Sequence, residues 1–204
     1  MSFLRKVMVK PWEHSGEMEG LHGEFVSGQS ASRTGLYMFL AVISSFFLLF
    51  IITYYSRMQF PDWEMLADPG ILWFNTAILV LASVAMQLAG NAARDDAEKG
   101  MRNYMLTGGI LTLAFIGGQL LAWEQLVAGG YYAADNPSYA FFYLFTGLHA
   151  LHLAGGGWFL MRTGFRLKRM ETSEKAKQSV VLCATYWHYL LLVWLVLFTL
   201  LLRT

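Results

Sequence analysis

Five stretches of nearly unbroken apolar residues, near 34–56, 70–92, 104–128, 138–161 and 179–202, alternate with short polar connections. Each holds about 22 to 25 residues, against the ~20 that carry a helix across ~30 Å of hydrocarbon. In lipid, backbone N–H and C=O groups must pair within their own segment, so each stretch is expected to be an α-helix. The pattern predicts an all-α polytopic membrane protein: a five-helix bundle over residues 33–204, preceded by a polar tail at residues 1–32. The tail is basic at Arg5, Lys6 and Lys10, then acidic at Glu13, Glu17, Glu19 and Glu24. It lacks the apolar core of a cleaved signal peptide. His14 and His22 read there as solvated tail residues. The five spans leave no room for a soluble domain.

Composition agrees with the pattern. Of 204 residues, 56% are hydrophobic and 14% charged, where soluble domains carry roughly 25% charged residues. Phe, Trp and Tyr together make 16%, which suits lipid-facing surfaces and interfacial aromatic belts. The single cysteine, Cys183, excludes an internal disulfide and lies in an apolar run as a small core residue. The distribution of charge says more than its sum. With the N-terminus on one side, that side receives Arg5, Lys6, Lys10, Arg33, Arg94, Lys99, Arg102, Arg162, Arg166, Lys168, Arg169, Lys175 and Lys177. The other side receives only Arg57 and Arg203. The positive-inside rule then predicts a cytoplasmic N-terminus and an external C-terminus.

Some helix faces can be anticipated. Ala114, Gly118 and Ala122 recur every fourth residue on the third span, as do Thr146, Ala150 and Ala154 on the fourth. Such small-residue stripes let helix backbones approach in lipid, and the short loop between these spans favours their antiparallel contact. Asn75, Gln87 and Gln119 are candidates for hydrogen bonds between helices.

The candidate chemistry lies in Glu124, the one acid inside a span, and in three intramembrane histidines, His149, His152 and His188. A buried imidazole or carboxylate needs a partner, so these four are expected to make interhelical polar contacts or to hold a lipid headgroup. A carboxylate with histidines can bind iron or zinc, and two facing histidines can ligate haem. Depth opposes one shared site. At ~1.5 Å per residue, Glu124 lies near the external end of its helix and His149 near the bilayer centre. His152 and His188 sit further inward. No HxxxH or HExxH pattern occurs. The ionisable groups are too few for a proton wire, and the loops carry no phosphate cradle or redox CxxC motif.

Three motifs reach further. FFYLFTGLHALHLAGG, with Phe141, Phe142, Thr146, Gly147, His149, Leu151 and His152, resembles the signature of subunit III of haem-copper terminal oxidases. YWHYLLLVWLVLF resembles that family's last helix through Tyr186, Trp187, His188, Val193, Trp194 and Leu195. AWEQL resembles the family's acid-bearing helix, with Glu124 as the matching acid. The five-helix count is similar to the short bacterial forms of this subunit. The resemblance implies a subunit without a redox centre of its own, bound against subunit I of a proton-pumping oxidase whose other chains carry the haems and copper. It implies bound phospholipids, a cytochrome c or quinol donor with cytochrome c favoured, and contact with other oxidase subunits. Membership of a larger respiratory assembly stays open, and nucleic acid is no partner. Thr146, Gly147, Gly156, Tyr186, Trp187 and Trp194 are the motif positions expected to pack helices. Departures are visible: Ile43, Ser44 and Ser45 stand where many members carry a buried glutamate, and Leu121 and Leu191 replace polar motif residues. Two other readings are an accessory protein of a nitric oxide reductase and a stand-alone membrane metal or haem enzyme.

Overall fold

The computed structural model describes residues 28–64, 70–169 and 174–203. Most of the polar tail, with His14 and His22, lies outside these residues, as do the side chains of Arg166, Lys168, Arg169 and Lys175. Five helices follow one another: α1 (Gly28–Arg57), α2 (Ile71–Arg94), α3 (Glu98–Ala128), α4 (Pro137–Arg169) and α5 (Glu174–Leu202). The chain divides into two compact units, residues 1–39 and 40–204, with the boundary inside α1. In the first, Tyr37, Met38 and Phe39 are exposed. Everything below concerns the second.

The helices outrun the apolar stretches. α3 begins at Glu98 rather than near 104, and α4 continues to Arg169 rather than ending near 161. Hydropathy marks the hydrocarbon layer, whereas helical hydrogen bonding continues into the interface through good helix formers such as Glu98, Lys99 and Arg102. Among the described residues, four helices are long and apolar enough to cross a membrane: Ala31–Arg57, Ile71–Arg94, Glu98–Ala128 and Ala176–Leu202. α4 has 33 residues, and at ~1.5 Å each it is long enough. Its apolar character is diluted by Gly155, Gly156, Gly157 and the two histidines.

Local signals fix the connections. Asn136 caps α4, its Oδ1 accepting the Ser138 N–H at 2.9 Å, with Pro137 pre-set in the first helical position. The same side chain donates to the Asp62 carbonyl at 2.8 Å and so ties the two loops at this end together. There too, Tyr139 donates to Glu64 (2.7 Å) and Tyr143 to the Tyr131 carbonyl (2.9 Å). The α2–α3 turn is closed by Asp96 at φ 56°, in the left-handed region that Asp tolerates better than most residues. Lys177 of α5 pairs with Asp96 across this turn.

α2 packs closely on α3 and α5, and α4 on α5 and α3. α1 is joined differently, through large side chains at longer backbone range. Tyr54, 1% exposed, stands edge-on to Trp63 (4.9 Å) and Phe141 (5.3 Å) and tilted on Phe145 (5.6 Å). Ser44 Oγ, in the Ile43–Ser45 stretch that carries no glutamate, lies 2.9 Å from the Tyr189 hydroxyl.

Candidate functional site

The motif residues of α4 and α5 form a set of interhelical clasps. Trp123 Nε1–H on α3 donates to Thr146 Oγ1 on α4 at 3.0 Å. Trp187 on α5 donates to Thr112 on α3 at 2.9 Å, and Trp194 on α5 to Thr76 on α2 at 2.9 Å. Each threonine hydroxyl meanwhile donates to the carbonyl four residues back, at Phe142, Gly108 and Leu72 respectively. The hydroxyl hydrogen is thereby committed, and its lone pairs face the neighbouring helix to receive an indole N–H, which can only donate. One side-chain pairing, used three times, links α2, α3, α4 and α5.

Gly156 makes the α4–α5 approach possible. A Cβ there would lie 2.6 Å from the Tyr186 ring and 3.2 Å from Trp187. Tyr186 then reaches over to donate its hydroxyl to the His152 carbonyl at 3.0 Å. Gly147 has looser surroundings, the nearest atom to a Cβ being Trp123 at 3.6 Å.

The four polar candidates have four separate environments. His149 is fully buried, its ring 5.9 Å from Phe115 on α3 and 5.2 Å from Trp194 on α5. Neither ring nitrogen has a hydrogen-bond partner among the described residues. His152 is half-buried, its Nδ1–H donating to the Leu148 carbonyl at 2.7 Å while the ring tilts against Phe47 of α1 at 5.7 Å. His188 sits on the exposed side of α5 with both nitrogens engaged by α2: Nδ1 lies 2.6 Å from Ser83 Oγ and Nε2 lies 2.7 Å from Gln87 Oε1. Because the Gln87 amide donates to Asn91 Oδ1 (3.0 Å), its carbonyl oxygen faces the ring and accepts from Nε2–H. Glu124 is exposed, one turn before the end of α3, with no hydrogen bond or ion pair among the described residues. Among the described residues no three His, Cys, Asp or Glu side chains converge.

Two expectations change. Gly118 turns to α2, where the Asn75 amide fills the place a Cβ would take, rather than to α4. α3 and α4 do pack, but α2 is the closer neighbour of α3. Asn75 and Gln119 are buried without hydrogen-bond partners among the described residues, instead of bonding between helices. Asn75 rests against Gly118 and His149 against Phe115, one turn of α3 apart. Sequence reading missed Thr76, Thr112, Ser83 and Tyr54. A threonine inside an apolar span shows no sign of which tryptophan will meet it, because the partner lies on another helix.

At Asp62, outside the spans, the hydrogen bond from Arg57 holds the carboxyl below its ordinary value. The pair joins the last residue of α1 to the exposed loop that follows it.

Comparison with known proteins bears on all of this. The profile of the family described as "Cytochrome c oxidase subunit III" matches residues 6–203. A relative from Synechocystis sp. named "Cytochrome c oxidase subunit 3" is 28% identical over 195 residues, covering 91% of this chain and 79% of its own length. One of the same name from Thermostichus vulcanus is 30% identical over 128 residues, 62% of each chain. "Probable cytochrome c oxidase subunit 3" from Mycobacterium tuberculosis is 31% identical over 128 residues. The match spans 61% of that relative's length, under two thirds, as with the Thermostichus protein.

Proposed function

The chain belongs to the cytochrome c oxidase subunit III family, and from that premise we propose that it serves as a non-catalytic scaffold subunit of a proton-pumping haem-copper oxidase reducing oxygen to water. It binds subunit I directly, holds phospholipid against its apolar faces and works in a bacterial inner membrane with cytochrome c as donor. All five helices span, α4 included, with the N-terminus cytoplasmic and the C-terminus outside.

The observation that carries this reading is the use made of the motif side chains. Thr146, Trp187 and Trp194, with Gly156 and Tyr186, are spent on holding helices to one another. Their polar groups point into the bundle rather than around an open reaction chamber. The unusual intramembrane groups take supporting parts: His149 as a core packing residue, His152 and His188 in interhelical contacts, and Glu124 among lipid headgroups at the external surface. Ile43, Ser44 and Ser45 leave no carboxylate at that point of α1 for moving protons.

Affinity purification of the tagged chain from its native membranes in mild detergent tests the proposal. A haem- and copper-bearing subunit with an oxidase spectrum should accompany it, and phospholipid should remain bound after washing. Recovery of the chain alone, with no haem-bearing partner, would refute it.

A further inference from the structure

Most polar side chains in the bundle core are satisfied. The indoles of Trp123, Trp187 and Trp194 each reach a threonine hydroxyl, and His188 is bonded at both nitrogens. Asn75 on α2, Gln119 on α3 and His149 on α4 stand apart. Each is at most 1% exposed, and their six side-chain nitrogen and oxygen atoms make no hydrogen bond among the described residues. Buried polar groups in native proteins are nearly always paired, because an orphaned one forfeits its hydration without return.

The three adjoin a single turn of α3. The Asn75 amide takes the place that a Cβ of Gly118 would fill. Gln119 is the next residue, and at i+4 it shares a helix face with Phe115. Phe115 stands edge-on to His149 at 5.9 Å and to Trp194 at 4.9 Å. Trp194 closes the ring of contacts by donating to Thr76, the neighbour of Asn75.

The chemistry of the three side chains narrows what can satisfy them. Two amides and a neutral imidazole offer donors and acceptors together, so the partner must supply both. An apolar guest supplies neither. An ion would sit there without a counter-charge, since Glu124, the one acid inside a span, is exposed. A lipid headgroup cannot reach residues so fully enclosed. Water is small, neutral, and both donor and acceptor. One buried water makes about two to four hydrogen bonds, so six unpaired atoms call for more than one.

We propose that the core along residues 115–119 of α3 is a binding site for ordered water, which links Asn75, Gln119 and His149 and so joins α2, α3 and α4. The site belongs to this chain and needs no partner subunit. Its test is a density map of the chain in the assembly with which it leaves the native membrane, at a resolution that shows ordered water. Water should lie within about 3.2 Å of a polar atom of each of the three residues, with at least one molecule bridging two helices. Ordered side chains with water at none or only one of them overturn the proposal. So does direct bonding among the three, or a bound ion in their midst. In a Gln119→Leu variant the water beside position 119 should vanish, and its persistence would count against the site as drawn. Should that variant not assemble, the map of the unaltered chain still decides.

Discussion

Thr112 and Trp187 illustrate how a single residue governs a contact in this bundle. The indole N–H is buried and donates to the Thr112 hydroxyl, its acceptor among the described residues. Thr112→Val keeps shape and volume but strands that donor, and an orphaned buried donor costs roughly 1–3 kcal/mol. The measured range for interhelical bonds in membranes, about 0.6 on average and up to about 1.7 kcal/mol, suggests the lower half of that interval. A lower midpoint for thermal loss of folded subunit from the detergent-solubilised complex is the expected result. Gly156 makes a second case. An added methyl there meets the Tyr186 ring at 2.6 Å, against 3.6 Å to the nearest atom at Gly147. Gly156→Ala should therefore cost about 1–3 kcal/mol through overpacking, while Gly147→Ala should be tolerated in the same assay. Equal effects at the two positions would refute this account of the α4–α5 approach.

Among the elements, α1 has the weakest hold. It lacks the close backbone packing that joins α2 to α3 and α5, and it depends on a few aromatic side chains. Removing the buried ring in Tyr54→Ala takes away most of that anchor, where loss of a large aromatic from a core costs roughly 3–5 kcal/mol. Hydrogen exchange should speed up along the C-terminal half of α1 and stay unchanged in the middle of α2 and α3. Uniform acceleration across all helices would mean that α1 is not separable. The Arg57–Asp62 pair at the end of α1 is open to solvent on its Asp62 side and contributes little. Its pH response has a definite sign. The carboxyl is held below its ordinary value in the folded chain, so its contribution is full above the usual carboxylate range. It is lost as pH falls through the lowered value. Protection from exchange at residues 58–63, corrected for the intrinsic pH dependence of exchange, should accordingly stay constant near neutrality and fall only in acid. Asp62→Asn should abolish that acid step.

For the whole molecule, the scaffold reading separates stability from redox content. His149 fills the space between Phe115 and Trp194, where three helices meet. His149→Ala should loosen this subunit from the purified oxidase, seen as a lower ratio of this chain to the haem-bearing subunit. The haem absorbance per haem-bearing subunit should be unchanged. A loss of haem signal in that variant would point to a part in the redox centre and against the scaffold.

Much of the architecture was legible in the chain. The thickness of hydrocarbon sets the length of an apolar run, so the five segments, their helical state and the polar residues within them could be read directly. The motifs around Thr146, His149 and Trp187 pointed to the family that the profile match shows. Pairings were another matter. In a soluble helix the apolar stripe marks the buried side, but in lipid both sides of a helix are apolar, and periodicity no longer separates core from surface. For this reason Gly118 could not be assigned to α2 rather than α4, nor Thr112 to Trp187, nor His188 to the outside of α5 while His149 went to the core. Sequence by itself determined how many helices form and which side chains they carry, because those follow from local hydrogen bonding and the solvent. Only the tertiary structure decided which polar group meets which, because that depends on helix rotation and on the shapes of side chains far apart in the chain.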